Sequence, residues 1–192
     1  MKATVLSLSA LALLAGCASS PSAEQQAAMA ADARKAAGTL IQQLGGELKA
    51  ALAEKGPDGA IGVCKLRAPR IAADVSRQSG FTVKRVSPKN RNPAGVPDAW
   101  ETQAQATLET RLAAGEKPET LETWQVVRTA TGKQFRYAKA LPVQPVCLTC
   151  HGDPAKMADG VKARLAADYP LDKATGYAPG MLRGIVSVKR DL

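Results

Sequence analysis

The sequence predicts an α+β domain in which N-terminal helices pack on a small antiparallel sheet. Three observations carry this. Apolar residues recur at helical spacing in two stretches before residue 80 and again between residues 98 and 115. Two strand-like runs, Glu122–Arg128 and Lys133–Leu141, flank one turn. A last such run, Arg183–Arg190, follows a long stretch of weak periodicity. The order helices, strand, helix, hairpin, loop, strand gives antiparallel pairing. At 192 residues there is room for one ordinary domain, and no internal repeat or second domain is evident.

The first sixteen residues read as an address. Met1-Lys2 opens with a charge, and an apolar run from Val5 to Ala15 follows. That run is too short to span a membrane and has the length of a signal-peptide core. It ends in Leu14-Ala15-Gly16-Cys17, which resembles the lipobox of bacterial lipoproteins. Residues 1–16 are therefore expected to be a lipoprotein signal peptide and Cys17 the lipidated residue. Ser19-Ser20-Pro21-Ser22 continues as polar sequence, and 17–34 is expected to be the tether of a domain spanning 35–192. Ala18, rather than Asp, after the cysteine resembles export to the outer membrane of a Gram-negative bacterium.

Residues 22–55 are rich in Ala, Gln, Glu and Lys, with Leu40, Ile41, Leu44, Leu48 and Leu52 at helical spacing, and read as one long helix. Gly45-Gly46 is its weak point. Gly56-Pro57-Asp58-Gly59 reads as a turn. In a second helix, Ile61, Cys64, Ala68, Ile71, Ala72 and Val75 share a face, and Pro69 breaks or restarts it. Phe81–Ser87 reads as a strand and Pro88–Pro93 as a polar loop. Asp98 and Glu101 have capping-box spacing ahead of a third helix that ends near Gly115. Thr129–Gly132 turns the hairpin. A short helix is expected near Val161–Ala167. In the last strand Val186 and Val188 face one way and Ile185 the other.

The chain carries four cysteines and one histidine. One histidine leaves no room for a His-based zinc protease, a two-histidine facial triad or a series of haems. Cys147-Leu148-Thr149-Cys150-His151 has the C-x-x-C-H spacing of c-type haem attachment. Two thiols there add to the haem vinyl groups, and the adjacent histidine becomes the proximal iron ligand. The signal peptide agrees, because such attachment takes place outside the cytoplasm. Two other readings compete: a Cys147–Cys150 disulfide, and a Cys₃His zinc site that adds Cys64. With His151 committed, the sixth position falls to Met29, Met157, Met181, Cys64, a lysine, water or nothing. Cys64 leads because an unpaired thiol in an oxidising compartment needs an explanation, although a buried inert thiol would also fit. Met181 is the fallback.

Lys and Arg total 26 against 17 Asp and Glu, a formal charge of +9. An exported protein meets no nucleic acid, so the charge suits anionic headgroups, an acidic partner protein or plain solubility. A haem peroxidase needs a distal acid–base residue, usually histidine, and none remains, so no enzyme activity is expected. Aromatic residues are only 4% of the chain, and a porphyrin would fill core that they do not.

Several segments together resemble a domain-of-unknown-function family of small exported mono-haem c-type domains. Such domains occur alone or as extracytoplasmic sensor parts of histidine kinases. The resemblance runs over residues 35–191. It rests on Ala60-Ile61-Gly62-Val63-Cys64 with Ala68-Pro69 and Ile71-Ala72, on Arg85–Pro93 and on Pro97-Asp98-Ala99-Trp100-Glu101. It continues through Cys147–Gly152, Tyr169-Pro170, Asp172–Tyr177 and Leu182-Arg183-Gly184-Ile185. The resemblance implies a PAS-like fold, one covalent haem c, and axial ligation by His151 and Cys64. Charge adds Arg85 and Arg91 as contacts for the haem propionates. The expected roles are one-electron transfer at low potential, redox sensing, or carbon monoxide or nitric oxide sensing with Cys64 displaced. The 192 residues contain no kinase or membrane-spanning part, so signalling is expected to use a separate partner.

Overall fold

A computed structural model describes residues 20–192. The expected signal peptide and Cys17 lie outside the described residues. Among those described, no helix is long and apolar enough to cross a membrane.

The fold is α+β, with a four-stranded antiparallel sheet carrying helices on both faces. Helix α1 runs Ala23–Gly62 and opens on a capping box in which Ser22 accepts from the Gln25 amide. The helix expected from residue 22 is present, but its first turns are packed rather than a free tether over 17–34: Met29, Ala30 and Ala33 are buried in the main core. Ala30, Ala33 and Ala37 form a stripe of small side chains that lets the helix lie close to the sheet, and Leu40 and Leu44 extend it. The expected turn at Gly56 is a kink within α1: Gly56 alone leaves helical geometry, at φ 69° and ψ −178°, and Pro57 resumes it.

One wide π-turn, Val63–Arg67, then carries Cys64, and α2 follows at Ala68–Ser79. Pro69 sits at the start of α2, directly after the π-turn, so the helix restarts there. Gly80, at φ 71°, closes the helix.

Strand β1 is Thr82–Val86, and α3 is Ala99–Ala113 with the Asp98/Glu101 capping box formed. Strands β2, Glu122–Thr129, and β3, Gly132–Pro142, make the hairpin. Strand β4 is Leu182–Asp191. The order across the sheet is β1-β4-β3-β2, every pair antiparallel.

Val83, Phe135, Tyr137, Val186 and Val188 project to α1 and α2 and form the larger core. Val86, Ala138, Ala140 and Ile185 project to the opposite face, against Leu108 of α3. The alternation of Val186 and Val188 against Ile185 is as the sequence predicts. On the α3 face Glu101 is fully buried, and its carboxylate meets Lys84 at 3.1 Å, Arg136 at 3.4 Å and the Ser187 hydroxyl at 2.7 Å. Its negative charge is thus matched, as burial requires.

Candidate haem site

Between β3 and β4 the chain leaves the sheet and makes the motif. Cys147 ends a short 3₁₀ turn, and α4 is the single turn Leu148–His151. Gly152 caps it, its N–H on the Leu148 carbonyl at 2.9 Å. A Cβ at Gly152 would stand 2.5 Å from that oxygen, so glycine is required there. Helix α5, Asp159–Asp168, follows, a little longer than expected.

No strand carries the motif; two loops hold it. Gly176 N–H donates to Gly152 O at 2.7 Å and Tyr177 N–H to His151 O at 3.0 Å. From the other side Arg91, buried, donates through Nη2 to the Cys150 carbonyl at 2.5 Å and the Ala174 carbonyl at 3.3 Å. Its Nε and Nη2 also face Asp172, at 3.0 and 2.9 Å. Asp172 in turn accepts from the Ala174 amide at 2.8 Å.

His151 Nδ1 lies 2.7 Å from the Ala174 carbonyl oxygen. A carbonyl only accepts, so Nδ1 carries the proton and Nε2 is left as a lone-pair donor, the tautomer that suits a metal ligand. Arg183 Nε stands 3.3 Å from the same Nδ1. Both nitrogens are donors, so this contact is a close cation rather than a hydrogen bond. Burial, with the charges of Arg183 and Arg91, pushes the imidazole pKa well below 6.5 and keeps the ring neutral.

A cavity of about 310 Å³ brings the site together. Ile41, Leu44, Leu48 and Leu52 of α1, with Ile61, Leu141 and Val146, make its apolar wall. Cys64, Cys147, Cys150 and His151 all line it, as do Arg85, Arg91 and Arg183. A smaller annex of about 70 Å³ adjoins it, sharing Cys64, His151 and the three arginines. Cys64, Cys147 and Cys150 are free, half-buried thiols. Burial pushes the Cys150 thiol up, and the Arg91 charge offsets part of that rise.

The donor set fits a haem: two unpaired thiols and a correctly tautomerised imidazole beside a third thiol, in an apolar space. It does not fit the zinc alternative, since no three His, Cys, Asp or Glu among the described residues converge as a metal cluster. Nor are Cys147 and Cys150 joined in a disulfide.

A family model described as Tll0287-like matches residues 18–190. The chain belongs to the Tll0287-like family. Among solved structures, the crystal structure of the cyanobacterial heme-protein Tll0287 aligns with a TM-score of 0.61 at 20% identity. The alignment covers 89% of this chain and 97% of that one. At that identity the likeness concerns the fold. Among curated proteins no match was found.

Within this family member the site residues expected from sequence divide. Cys64, Cys147, Cys150, His151, Arg85 and Arg91 all reach one cavity. Met181, the fallback ligand, does not: it is 41% exposed, and its Sδ accepts from the Ala178 amide at 3.2 Å. Met157 is buried against Val161 and Leu165, and Met29 sits in the main core. Neither lines the cavity. Arg91 is a structural clamp on the motif before it is anything else, because its Nε and Nη2 are already taken. Sequence reasoning missed Arg183, although it lies in a segment that carried the family resemblance. It missed Ala174 and Asp172 as well, since backbone acceptors and their supports leave no side-chain signature.

Proposed function

We propose that this protein is an exported mono-haem c-type protein whose haem is ligated by His151 and Cys64 and acts at low potential in one-electron transfer or redox sensing. The observation that carries the reading is the sharing of one apolar-walled cavity by Cys64, Cys147, Cys150 and His151. The description of the structurally similar Tll0287 as a heme-protein supports it. Haem, when bound, supplies a ferric/ferrous couple. Cys147 and Cys150 would hold it through thioether bonds, His151 would present Nε2, and Cys64 would add a thiolate. An anionic thiolate opposite a neutral imidazole favours the ferric state and so a low potential.

Residues 1–16 serve in this reading as lipoprotein signal and Cys17 as lipid anchor, which places the domain at the periplasmic side of a Gram-negative outer membrane. The tether shortens to the residues before Ala23. The basic charge suits an acidic redox or signalling partner. No catalysis is assigned.

One observation favours a second use. Cys64 sits on the π-turn, a local irregularity of the kind found at functional sites, and so is the donor placed to withdraw. A carbon monoxide or nitric oxide sensor needs such a donor. Reduced protein that binds neither gas removes this second use.

The primary test is acidic organic extraction of protein purified from cells able to mature c-type haem. Colour that stays with the polypeptide is expected. Extractable colour, or a colourless protein, overturns the reading.

A further inference from the structure

The annex beside His151 holds more positive charge than the protein neutralises. Arg91 and Arg136 have buried guanidinium groups, and each meets a carboxylate: Asp172 at 2.9 Å and Asp98 at 2.7 Å. Arg183 and Arg85 border the annex and have no carboxylate partner among the described residues. Arg183 is half-buried, while Arg85 is exposed at the annex mouth. Its Nη1 donates to the Lys89 carbonyl at 3.2 Å, and its guanidinium carbon lies 5.3 Å from the Tyr177 ring centroid. An uncompensated, partly desolvated cation is costly, and proteins retain one where an anion completes the site.

We propose that Arg85 and Arg183 form an oxyanion site in this annex, selective for a carboxylate or a small oxyanion of similar size. A volume of about 70 Å³ is on the scale of such a group. Two guanidinium groups match its oxygens by charge-assisted, forked hydrogen bonds. Arg91 contributes field but not the fork, since Asp172 and two carbonyls occupy it. The anion has two possible sources: a propionate of the haem, which rests on the function proposed above, or a free oxyanion from solution.

The test uses holoprotein and the variants R183Q, R183K and R85Q, with R70Q as a surface control. If a propionate fills the site, the resonance Raman propionate-bending band shifts in R183Q and R85Q, stays put in R70Q, and returns only in part in R183K, which keeps the charge but not the fork. If a free oxyanion fills it, inorganic phosphate raises the thermal midpoint of the wild type. R183Q then weakens the apparent phosphate affinity about tenfold, the equivalent of one charge-assisted hydrogen bond. Either result supports the site. An unmoved Raman band in both variants, together with no Arg183-dependent phosphate effect, overturns it. A protein without covalent haem fails the functional reading alone, because the phosphate arm needs no porphyrin.

Discussion

Arg91 Nη2 and the Cys150 carbonyl oxygen lie 2.5 Å apart, across 59 residues of sequence. One guanidinium group thereby joins the loop after β1 to the thiol motif and, through Asp172, to the loop that seats His151. Replacing Arg91 by glutamine leaves a carboxylate and two carbonyls short of a donor. The expected loss is about 3–5 kcal/mol in urea unfolding. R91K is expected to recover little of it, because a point charge cannot reproduce the fork. A loss of less than about 1 kcal/mol would contradict the clamp.

Cys64→Ala is expected to abolish the thiolate signature of the ferric spectrum and raise the reduction potential. Met181 is turned to solvent, so no methionine signature should replace it. An unchanged spectrum would remove Cys64 from the iron.

Gly152→Ala puts a methyl group 2.5 Å from the Leu148 carbonyl oxygen. The turn that aligns Cys147, Cys150 and His151 must then open. Destabilisation of about 1–3 kcal/mol is expected, with a lower haem-to-protein ratio on purification. Full loading at wild-type stability would show that the turn tolerates a Cβ.

Glu122 is a pH probe far from the motif. Burial alone would raise its carboxyl pKa, but hydrogen bonds from Arg34 and Tyr137 and the charges of Arg34 and Lys139 outweigh burial, and the net direction is down. The folded state therefore holds the carboxylate more tightly than the unfolded chain. Its contribution is full above the ordinary value of 4.5 and is lost as pH falls through the lowered folded value. E122Q should cost about 2 kcal/mol near neutrality, and the gap to wild type should close on acidification. Urea midpoints across that range decide it; a gap independent of pH would contradict the assignment.

A chain beginning at residue 35 is expected to be less stable than one beginning at residue 20 by about 3 kcal/mol or more. It lacks the buried Met29, Ala30 and Ala33 and the Arg34–Glu122 ion pair. Equal thermal midpoints would return residues 23–34 to the status of a tether.

The local features were legible because their signals are local. The Asp98/Glu101 box, the Thr129–Gly132 turn and the alternation of β4 each lie within a few residues of sequence. The motif was legible for the same reason. What was hidden depends on distant partners or weak contrast. Ala30 and Ala33 bury almost completely but barely raise the local hydrophobicity, so the core packing of the first turns of α1 stayed hidden. Arg91 offered only its charge, and the carboxylate that claims it comes 81 residues later. Arg183 meets His151 across 32 residues. A guanidinium in a sequence does not reveal whether a carboxylate will reach it.

The sheet order β1-β4-β3-β2 also dictates when the domain can close. The fourth strand in chain order is an interior one, and β1 has no other strand neighbour among the described residues. Until Leu182–Asp191 is in place, β1 with the helices ahead of it and the β2–β3 hairpin are two unjoined pieces. The seat of His151 at Ala174 is likewise made after the histidine, by 23 residues. Assembly from the N-terminus must therefore stay open past the motif. During that interval Cys147 and Cys150 lie on chain not yet held by the loop of Ala174, Gly176 and Tyr177.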